Sequence, residues 1–127
     1  MNRIRAINPP ELFDGPSAGI SQAIRVGDTI YCSGQVAFGA TLEEQALGAF
    51  QNVKTLLEAA GATMADIVKM TVYTTDPDCW PKTQAIRDEF LKAPHPAATL
   101  PVVKALASPQ LMIEVDVIAV VGSGQAA

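Results

Sequence analysis

The sequence predicts an α+β domain in which two helices cover one face of a single mixed β-sheet, in the order β-β-α-β-α-β-β. Residues 41–61 carry the signals of a long amphipathic helix, and residues 67–75 and 111–121 alternate with the period of two that is typical of strands. The 127 residues are 49% apolar, which is enough for one hydrophobic core. We therefore expect residues 1–127 to form a single domain.

The long helix has both a start and a stop signal. Thr41 and Glu44 have the spacing of a capping box, in which each side chain caps a backbone N–H at the start of a helix. Gly61 stands where helices often end in a left-handed residue. The helix is predicted over residues 42–60. Its apolar residues recur every three or four positions and form one stripe, which consists of Ala46, Phe50, Val53, Leu57 and Ala60.

The other elements follow from period-two alternation and from turn residues. Residues 1–22 are broken by Pro and Gly and are expected to be irregular, and residues 122–127 are expected to be a flexible tail. A second helix is predicted over residues 79–91. Pro101 interrupts one strand, which indicates an edge strand or a bulge. The predicted strands cover residues 23–26, 29–36, 67–75, 97–103 and 111–121.

Alternation also assigns side chains to the two faces of the sheet. In the strand 67–75, Val68, Met70 and Val72 are predicted to face the helices, and Lys69, Thr71 and Tyr73 to face away from them. In the last strand the odd-numbered residues 113–121 form a continuous apolar face, predicted to lie against the helices.

The opposite face of the last strand combines two carboxylates, Glu114 and Asp116, with Met112, Ile118 and Val120. Such a half-apolar face is typically buried against another subunit. Two interpretations of the carboxylates follow. They line the rim of an oligomer interface and pair with a neighbour's basic residues, or one of them faces a cleft between subunits and transfers a proton. Spacing alone favours the structural interpretation.

Composition and motifs exclude several classes of function. A net charge of −4 and a pI near 4.8 argue against a nucleic-acid-binding protein, and no apolar run approaches the length of a membrane span. The N-terminus lacks the apolar segment of a secretory signal, so we expect a cytoplasmic location. A single histidine, His95, gives no local metal-ligand set, and no cofactor motif is present. Cys32 and Trp80 are expected to be core residues.

Six short motifs occur along the chain in an order that points to a known family. They are Gly15-Pro16, Ser21-Gln22-Ala23-Ile24, Ser33-Gly34-Gln35, Glu58-Ala59-Ala60-Gly61, Pro96-Ala97 and Ile113-Glu114-Val115-Asp116-Val117-Ile118-Ala119. Together they resemble the Rid family, the reactive-intermediate (enamine/imine) deaminases, also called YjgF-type proteins. The resemblance covers nearly the whole chain. It implies a chorismate-mutase-like fold of the bacillus type and a homotrimer with small-molecule clefts between its subunits.

The resemblance also implies roles for individual residues. In the deaminase branch, a glutamate in the last strand orients the hydrolytic water, and Glu114 occupies that position. The Ser-Gly-Gln segment that lines the ligand cleft corresponds to Ser33, Gly34 and Gln35. An arginine after the Pro-Ala pair binds the substrate carboxylate, and a tyrosine before Ser-Gln helps to close the pocket.

Two positions depart from this pattern. Ala98 stands in place of the arginine and Ile20 in place of the tyrosine. An alanine cannot bind a carboxylate, and the loss of a desolvated bidentate pair costs about 2–5 kcal/mol of affinity. Thr99 and the backbone amides near Gly34 remain as polar partners for a ligand. Arg87 in the second helix is a candidate replacement for the arginine, and the alternative is that it is a surface residue.

Three functions are therefore open. The chain is a hydrolase of an imine or enamine, with Glu114 positioning water and with reduced or altered specificity. Alternatively, it is a trimer that binds a metabolite without turnover. The third function is the endoribonuclease activity attached to the family's name, which we rank last because the chain has no stripe of basic residues.

Overall fold

A computed structural model describes residues 3–124, which contain one six-stranded sheet with the strand order β1-β2-β3-β6-β4-β5. Neighbouring strands are antiparallel except β4 and β5, which are parallel, so the sheet is mixed as predicted. The strands are β1 (Arg5–Ile7), β2 (Ala23–Val26), β3 (Thr29–Cys32), β4 (Ile67–Thr74), β5 (Ala97–Thr99) and β6 (Ile113–Val120).

The long helix α1 (Leu42–Ala59) begins and ends at the predicted signals. The Glu44 N–H donates to the Thr41 hydroxyl at 3.1 Å, and the Glu44 carboxylate accepts from the Ala40 N–H at 2.9 Å. Gly61 has a φ of 93°, the left-handed conformation that glycine adopts at least cost. All five residues of the predicted apolar stripe are buried, which confirms the predicted face of the helix.

The core lies between α1 and the two central strands, β6 and β4. Ile113, Val115 and Val117 of β6 are buried against the helical side, as the alternation predicts. Phe50 of α1 stacks on Phe90 with a centroid distance of 5.7 Å, which joins the second helical region to the same core. Full burial of an aliphatic or aromatic side chain contributes about 1.5–3 kcal/mol, so this layer is the main source of stability.

The second helical region differs from the prediction. Residues 79–91 form two short helices, α2 (Cys79–Lys82) and α3 (Gln84–Phe90), so residues 3–124 contain three α-helices instead of two. Thr83 separates them with φ −105° and ψ 7°. Its hydroxyl donates to the Cys79 carbonyl at 2.8 Å, and such back-bonding to the preceding turn bends helices.

The N-terminal segment is more ordered than predicted. Residues 1–22 include β1, which pairs along β2 and buries Ile7, and a 3-10 turn at Pro16–Ala18. Within the predicted tail, the Gly124 N–H donates to the Asp66 carboxylate at 2.9 Å, and the flexibility of residues 122–127 stays a prediction. Residues 125–127 of that predicted tail lie outside the described residues.

Three strands differ in detail from the prediction. A bulge between Ile67 and Lys69 turns Val68 outward, so Ile67 takes the buried position predicted for Val68. β3 ends at Cys32, and beyond it Gln35 makes one isolated bridge to β6. β5 ends two residues before Pro101 and lies at the edge of the sheet, which confirms the predicted edge position.

The Asp66 carboxylate joins the chain end to the turn before β4, and we expect it to stabilise the fold. Burial raises its pKa, but backbone N–H groups of Gly124, Thr63 and Gly122 outweigh burial and hold the pKa below its ordinary value. A lowered pKa gives a stability contribution that is complete above about pH 4 and is lost as the pH falls through the folded-state pKa. Asp66→Asn should lower the free energy of unfolding at pH 7 by about 1–3 kcal/mol.

Urea unfolding at pH 7 and at pH 3 measures this effect. The free energy of unfolding should differ less between these two pH values in the variant than in the wild type. Glu89→Gln is the matched control, since Glu89 is exposed and makes no side-chain hydrogen bond to the described residues. Equal stability of the two variants at pH 7 would contradict the role of Asp66.

Candidate functional site

The helices leave one face of the sheet open, and both predicted carboxylates lie on it. Glu114 is opposite Tyr73 of β4, and Asp116 is opposite Thr71. Thr71 in turn pairs with Thr99 of β5, so a row of polar residues crosses three strands on the open face. Glu114 and Asp116 are both partly buried even though no helix covers them.

The Glu114 carboxyl lies directly against the backbone at Gly34. A Cβ atom built on Gly34 would be only 1.9 Å from Glu114 Oε2, so a side chain at position 34 would displace the carboxyl. The backbone on both sides of this glycine is fixed. The Ser33 N–H donates to the Gln22 carbonyl, and the Gln35 N–H donates to the Val115 carbonyl, both at 2.8 Å. The absence of a side chain at Gly34 therefore permits the close approach of the Glu114 carboxyl.

The environment favours the protonated forms of both carboxyls. Burial raises the pKa of Glu114 above its ordinary value, and the charge of Asp116 raises it further. Burial also raises the pKa of Asp116, although the Thr71 hydroxyl and the Lys69 charge oppose this rise. A glutamate with a raised pKa is a better proton acceptor near neutral pH than an ordinary one.

The Ser-Gly-Gln segment uses its side chains for internal bonds. The Ser33 hydroxyl donates to the Ser21 carbonyl at 2.7 Å, and the buried Gln35 carboxamide donates to Gln22 Oε1 at 2.8 Å. The Gly34 N–H has no partner among the described hydrogen bonds. Ile20, which precedes Ser21, is about half exposed, with 49% of its surface accessible.

Ala98 and Thr99 point to opposite faces of the sheet. Thr99 pairs with Thr71 and lies on the open face, where its hydroxyl accepts a hydrogen bond from Lys69 Nζ at 2.7 Å. Ala98 pairs with Met70, whose side chain is buried on the helical face. Within one chain, Thr99 therefore lies on the same face of the sheet as Glu114, whereas Ala98 lies on the opposite face.

Ala98 instead lines a cavity of about 250 Å³ together with Arg87. Arg87 is 9% exposed, so the alternative that it is a surface residue is wrong. Its guanidinium carbon lies 3.5 Å from the centroid of the Trp80 ring. Trp80 was expected in the core, but 38% of its surface is exposed because it lies at the rim of this cavity. Met70, Asp88, Leu91 and His95 also line this cavity.

Reasoning from the sequence missed two features of these sites. The contact between Lys69 and Thr99 joins residues thirty positions apart. Its only signal in the sequence is the period-two pattern of β4, which places Lys69 on the open face. The stacking of Arg87 on Trp80 had a signal in the seven-residue spacing, which corresponds to about two helical turns.

Other candidate chemistry is limited. Burial raises the pKa of the Cys32 thiol to about 12, with a further contribution from Asp116, so the thiol is protonated at neutral pH and a poor nucleophile. Within residues 3–124, no three His, Cys, Asp or Glu side chains are grouped so that they could hold a metal ion. No helix in the same range is both long and apolar enough to cross a membrane.

Sequence comparison now connects this geometry with known proteins. Residues 14–121 match the family described as Endoribonuclease L-PSP, a range that includes Gly34, Arg87, Ala98 and Glu114. The chain belongs to this family, which is the Rid or YjgF-type family. One curated relative, the 2-iminobutanoate/2-iminopropanoate deaminase of Dermatophagoides farinae, is 34% identical over 105 residues, which are 76% of this chain and 81% of that protein.

Solved structures of relatives share the whole fold. A protein of unknown function from Pseudomonas aeruginosa superposes with a TM-score of 0.89 at 31% identity, with 100% of both chains covered. RidA from an Antarctic Psychrobacter species superposes with a TM-score of 0.84 at 29% identity, with 92% of this chain and 99% of that chain covered. These similarities confirm the predicted fold class.

Replacement of Gly34 tests whether the glycine holds the Glu114 carboxyl in place. Gly34→Ala should fold with a stability within about 1 kcal/mol of wild type, since the Glu114 side chain can rotate away and alanine restricts the unfolded chain. The displaced carboxyl should become more solvated, so the pKa of Glu114, measured by carbon-detected NMR titration, should fall toward its ordinary value.

The same alanine in a Glu114→Ala background is the control. There the close contact no longer exists, so the stability cost of Gly34→Ala should become smaller, and the two substitutions should be coupled in a double-mutant cycle. An unchanged Glu114 pKa in the Gly34→Ala protein would contradict the contact.

Proposed function

We propose that this chain hydrolyses a reactive imine or enamine metabolite to a carbonyl compound and ammonia, with Glu114 positioning the attacking water. The observation that carries this proposal is the Glu114 carboxyl, which lies against Gly34 on the open face with its pKa above the ordinary value. The deaminase of Dermatophagoides farinae supports the reaction class, because imine hydrolysis is the activity in its name.

The proposed reaction needs only water and a group that accepts and returns a proton. The water oxygen attacks the carbon of the C=N bond while the Glu114 carboxylate accepts one of its protons. Glu114 then returns that proton to the nitrogen, which gives the neutral carbinolamine. The hydroxyl proton of the carbinolamine is next transferred to the nitrogen through the same carboxylate as the C–N bond breaks, so the products are ammonia and a carbonyl compound. An enamine must first take a proton on carbon to become the imine. The Gly34 N–H, which makes no described hydrogen bond, is the backbone donor that we propose for the ligand.

We also propose that the protein is a homotrimer whose ligand clefts lie between subunits. The open face supports this assembly, since Tyr31, with 51% of its surface exposed, pairs there with Ile118. Met112, Ile118 and Val120 on the same face are also partly exposed, and such a half-apolar face is typically buried against another subunit. A cleft at this face would bring a second chain to Glu114. The cytoplasmic location expected from the N-terminus stays a prediction.

Light scattering tests the assembly. The wild-type protein should have three times the 13.4 kDa mass of the chain. Tyr31→Asp places a charge on the open face and should shift the protein toward monomers, because an unpaired charge is costly to bury. Leu47→Asp is the matched control on the exposed side of α1 and should remain trimeric. A wild-type monomer at every concentration would contradict the proposal.

Replacement of Glu114 tests the reaction. Glu114→Gln keeps the size of the side chain but cannot accept the proton, so turnover should fall at least about a hundredfold. The measurement is the lifetime of 2-iminopropanoate, and separately of its neutral carboxamide, each generated in solution and trapped with semicarbazide. Retention of the wild-type rate by Glu114→Gln would contradict the role of this residue.

Asp116→Asn is the matched control, since it removes the neighbouring carboxylate from the same face. It should keep turnover, but its pH–rate profile should change. The active form is the Glu114 carboxylate, so the rate falls as the pH drops through the Glu114 pKa. Because the Asp116 charge raises that pKa, the acid limb should move to lower pH in Asp116→Asn. An acid limb that does not move would contradict this coupling.

A second candidate is a trimer that binds a metabolite without turnover. Ala98 favours it, because a methyl group stands where the deaminase branch has its carboxylate-binding arginine. Binding of a ligand without acceleration of either imine would select this function. RNA cleavage ranks last for this chain, since its net charge of −4 offers little attraction for phosphates.

A further inference from the structure

The cavity between α3 and β5 contains a buried cation with no acidic partner. Arg87 is 9% exposed, yet the ion pairs within residues 3–124 are Arg25 with Asp28 and Lys82 with Asp76. A buried charge without a counterion is costly, and Arg87 also loses solvation energy on burial, which lowers its pKa. The position of Arg87 is therefore suited to an anion that enters from outside the chain.

The guanidinium is held in one orientation. Its Nη1 donates to the Trp80 carbonyl at 2.6 Å and to the Thr83 hydroxyl. The guanidinium carbon, Cζ, lies 3.5 Å from the Trp80 ring centroid. These contacts remove most of the rotational freedom of the side chain. An anion that binds here would therefore meet a preorganised partner.

The remaining N–H groups of Arg87 are available to the cavity. None of the described hydrogen bonds uses Nε or Nη2. Every buried side-chain nitrogen or oxygen among the described residues has a partner, so these two nitrogens are accessible, and Arg87 lines the cavity. Nε and Nη2 form one edge of the guanidinium, which donates two parallel hydrogen bonds to a carboxylate.

The rest of the cavity defines the ligand by size and charge. Its volume of about 250 Å³ is below the range of drug-sized pockets, so it fits a molecule of a few non-hydrogen atoms. Met70, Leu91 and Ala98 offer apolar contacts. Asp88 also lines the cavity and carries a negative charge beside Arg87. One guanidinium and one nearby carboxylate favour a ligand with a single negative charge.

We propose that this cavity binds a small organic monoanion with its carboxylate on the Nε–Nη2 edge of Arg87, and that the Asp88 charge limits the affinity. The inference rests on the proposed function and deepens it, because it assigns Arg87 as the partner of a ligand carboxylate although Ala98 replaces the arginine of the family pattern. Within one chain the sheet separates this cavity from Glu114, so binding and turnover depend on different residues.

The test is a binding titration that Trp80 itself reports. Trp80 is the only tryptophan in the sequence, so a change in intrinsic tryptophan fluorescence arises at the cavity. The probe is 2-oxobutanoate, the ketone that hydrolysis of 2-iminobutanoate gives, and the control is its neutral carboxamide, 2-oxobutanamide. We expect saturable binding of 2-oxobutanoate and at least tenfold weaker binding of the amide. Equal affinities for the two would overturn the proposal.

Three variants separate an anion site from a purely structural arginine. Arg87→Gln should weaken 2-oxobutanoate binding at least tenfold. Arg87→Lys keeps the positive charge but loses the paired Nε and Nη2 donors, so its affinity should lie between those of the wild type and Arg87→Gln. Asp88→Asn should bind it several times more tightly, an effect that a structural role of Arg87 does not produce. If Arg87→Gln fails to fold, the affinities of Arg87→Lys and Asp88→Asn for 2-oxobutanoate test the anion site instead. Unchanged affinity in both of these variants would overturn the proposal.

Glu114→Gln keeps this test separate from the proposed function. It should bind 2-oxobutanoate while losing turnover of the imine. If the wild-type protein accelerates imine hydrolysis but does not bind 2-oxobutanoate, the inference fails and the hydrolase proposal stands. If 2-oxobutanoate binds with the predicted dependence on Arg87 and Asp88 but neither imine is accelerated, the hydrolase proposal fails and the anion site stands.

Discussion

The packing of α1 against β6 and β4 is the constraint on which the rest of the structure depends. The apolar stripe of α1 buries the odd-numbered residues of β6, from Ile113 to Ala119. Because side chains alternate strictly along a strand, this burial turns Glu114 and Asp116 to the open face. A shift of the β6 register by one residue would bury both carboxylates beneath the helix and expose the core residues. The hydrophobic layer therefore determines where the chemistry of this protein can lie.

The same constraint separates two charged sites within one chain. On the open face, Glu114 lies against Gly34, and burial and the Asp116 charge raise its pKa. On the helical side, Arg87 stacks on Trp80 in a cavity that also includes Ala98. The two groups have opposite charges and are divided by the sheet. A reaction that uses both requires a second chain, and the half-apolar open face is consistent with one.

Similarity to solved structures extends over the whole chain, whereas two positions that the family resemblance assigns to ligand binding carry other residues. A TM-score of 0.89 at 31% identity means that the backbone tolerates replacement of most side chains. Ala98 and Ile20 depart from the pattern that the resemblance to the deaminase branch implies. Because activity depends on particular side chains and their surroundings, a shared fold does not transfer a substrate. The roles that we propose for Glu114 and Arg87 therefore rest on the surroundings of these side chains in this chain.

The sequence by itself determined the class of the fold, the extent of α1 and the direction of side chains on β6. These features depend on local patterns: a cap at Thr41, a stripe at helical spacing and alternation along a strand. Only the tertiary structure decided the bulge at Val68, the anchoring of Gly124 on Asp66 and the burial of Arg87. Each of these depends on contacts that chain folding brings together, so no local pattern encodes it.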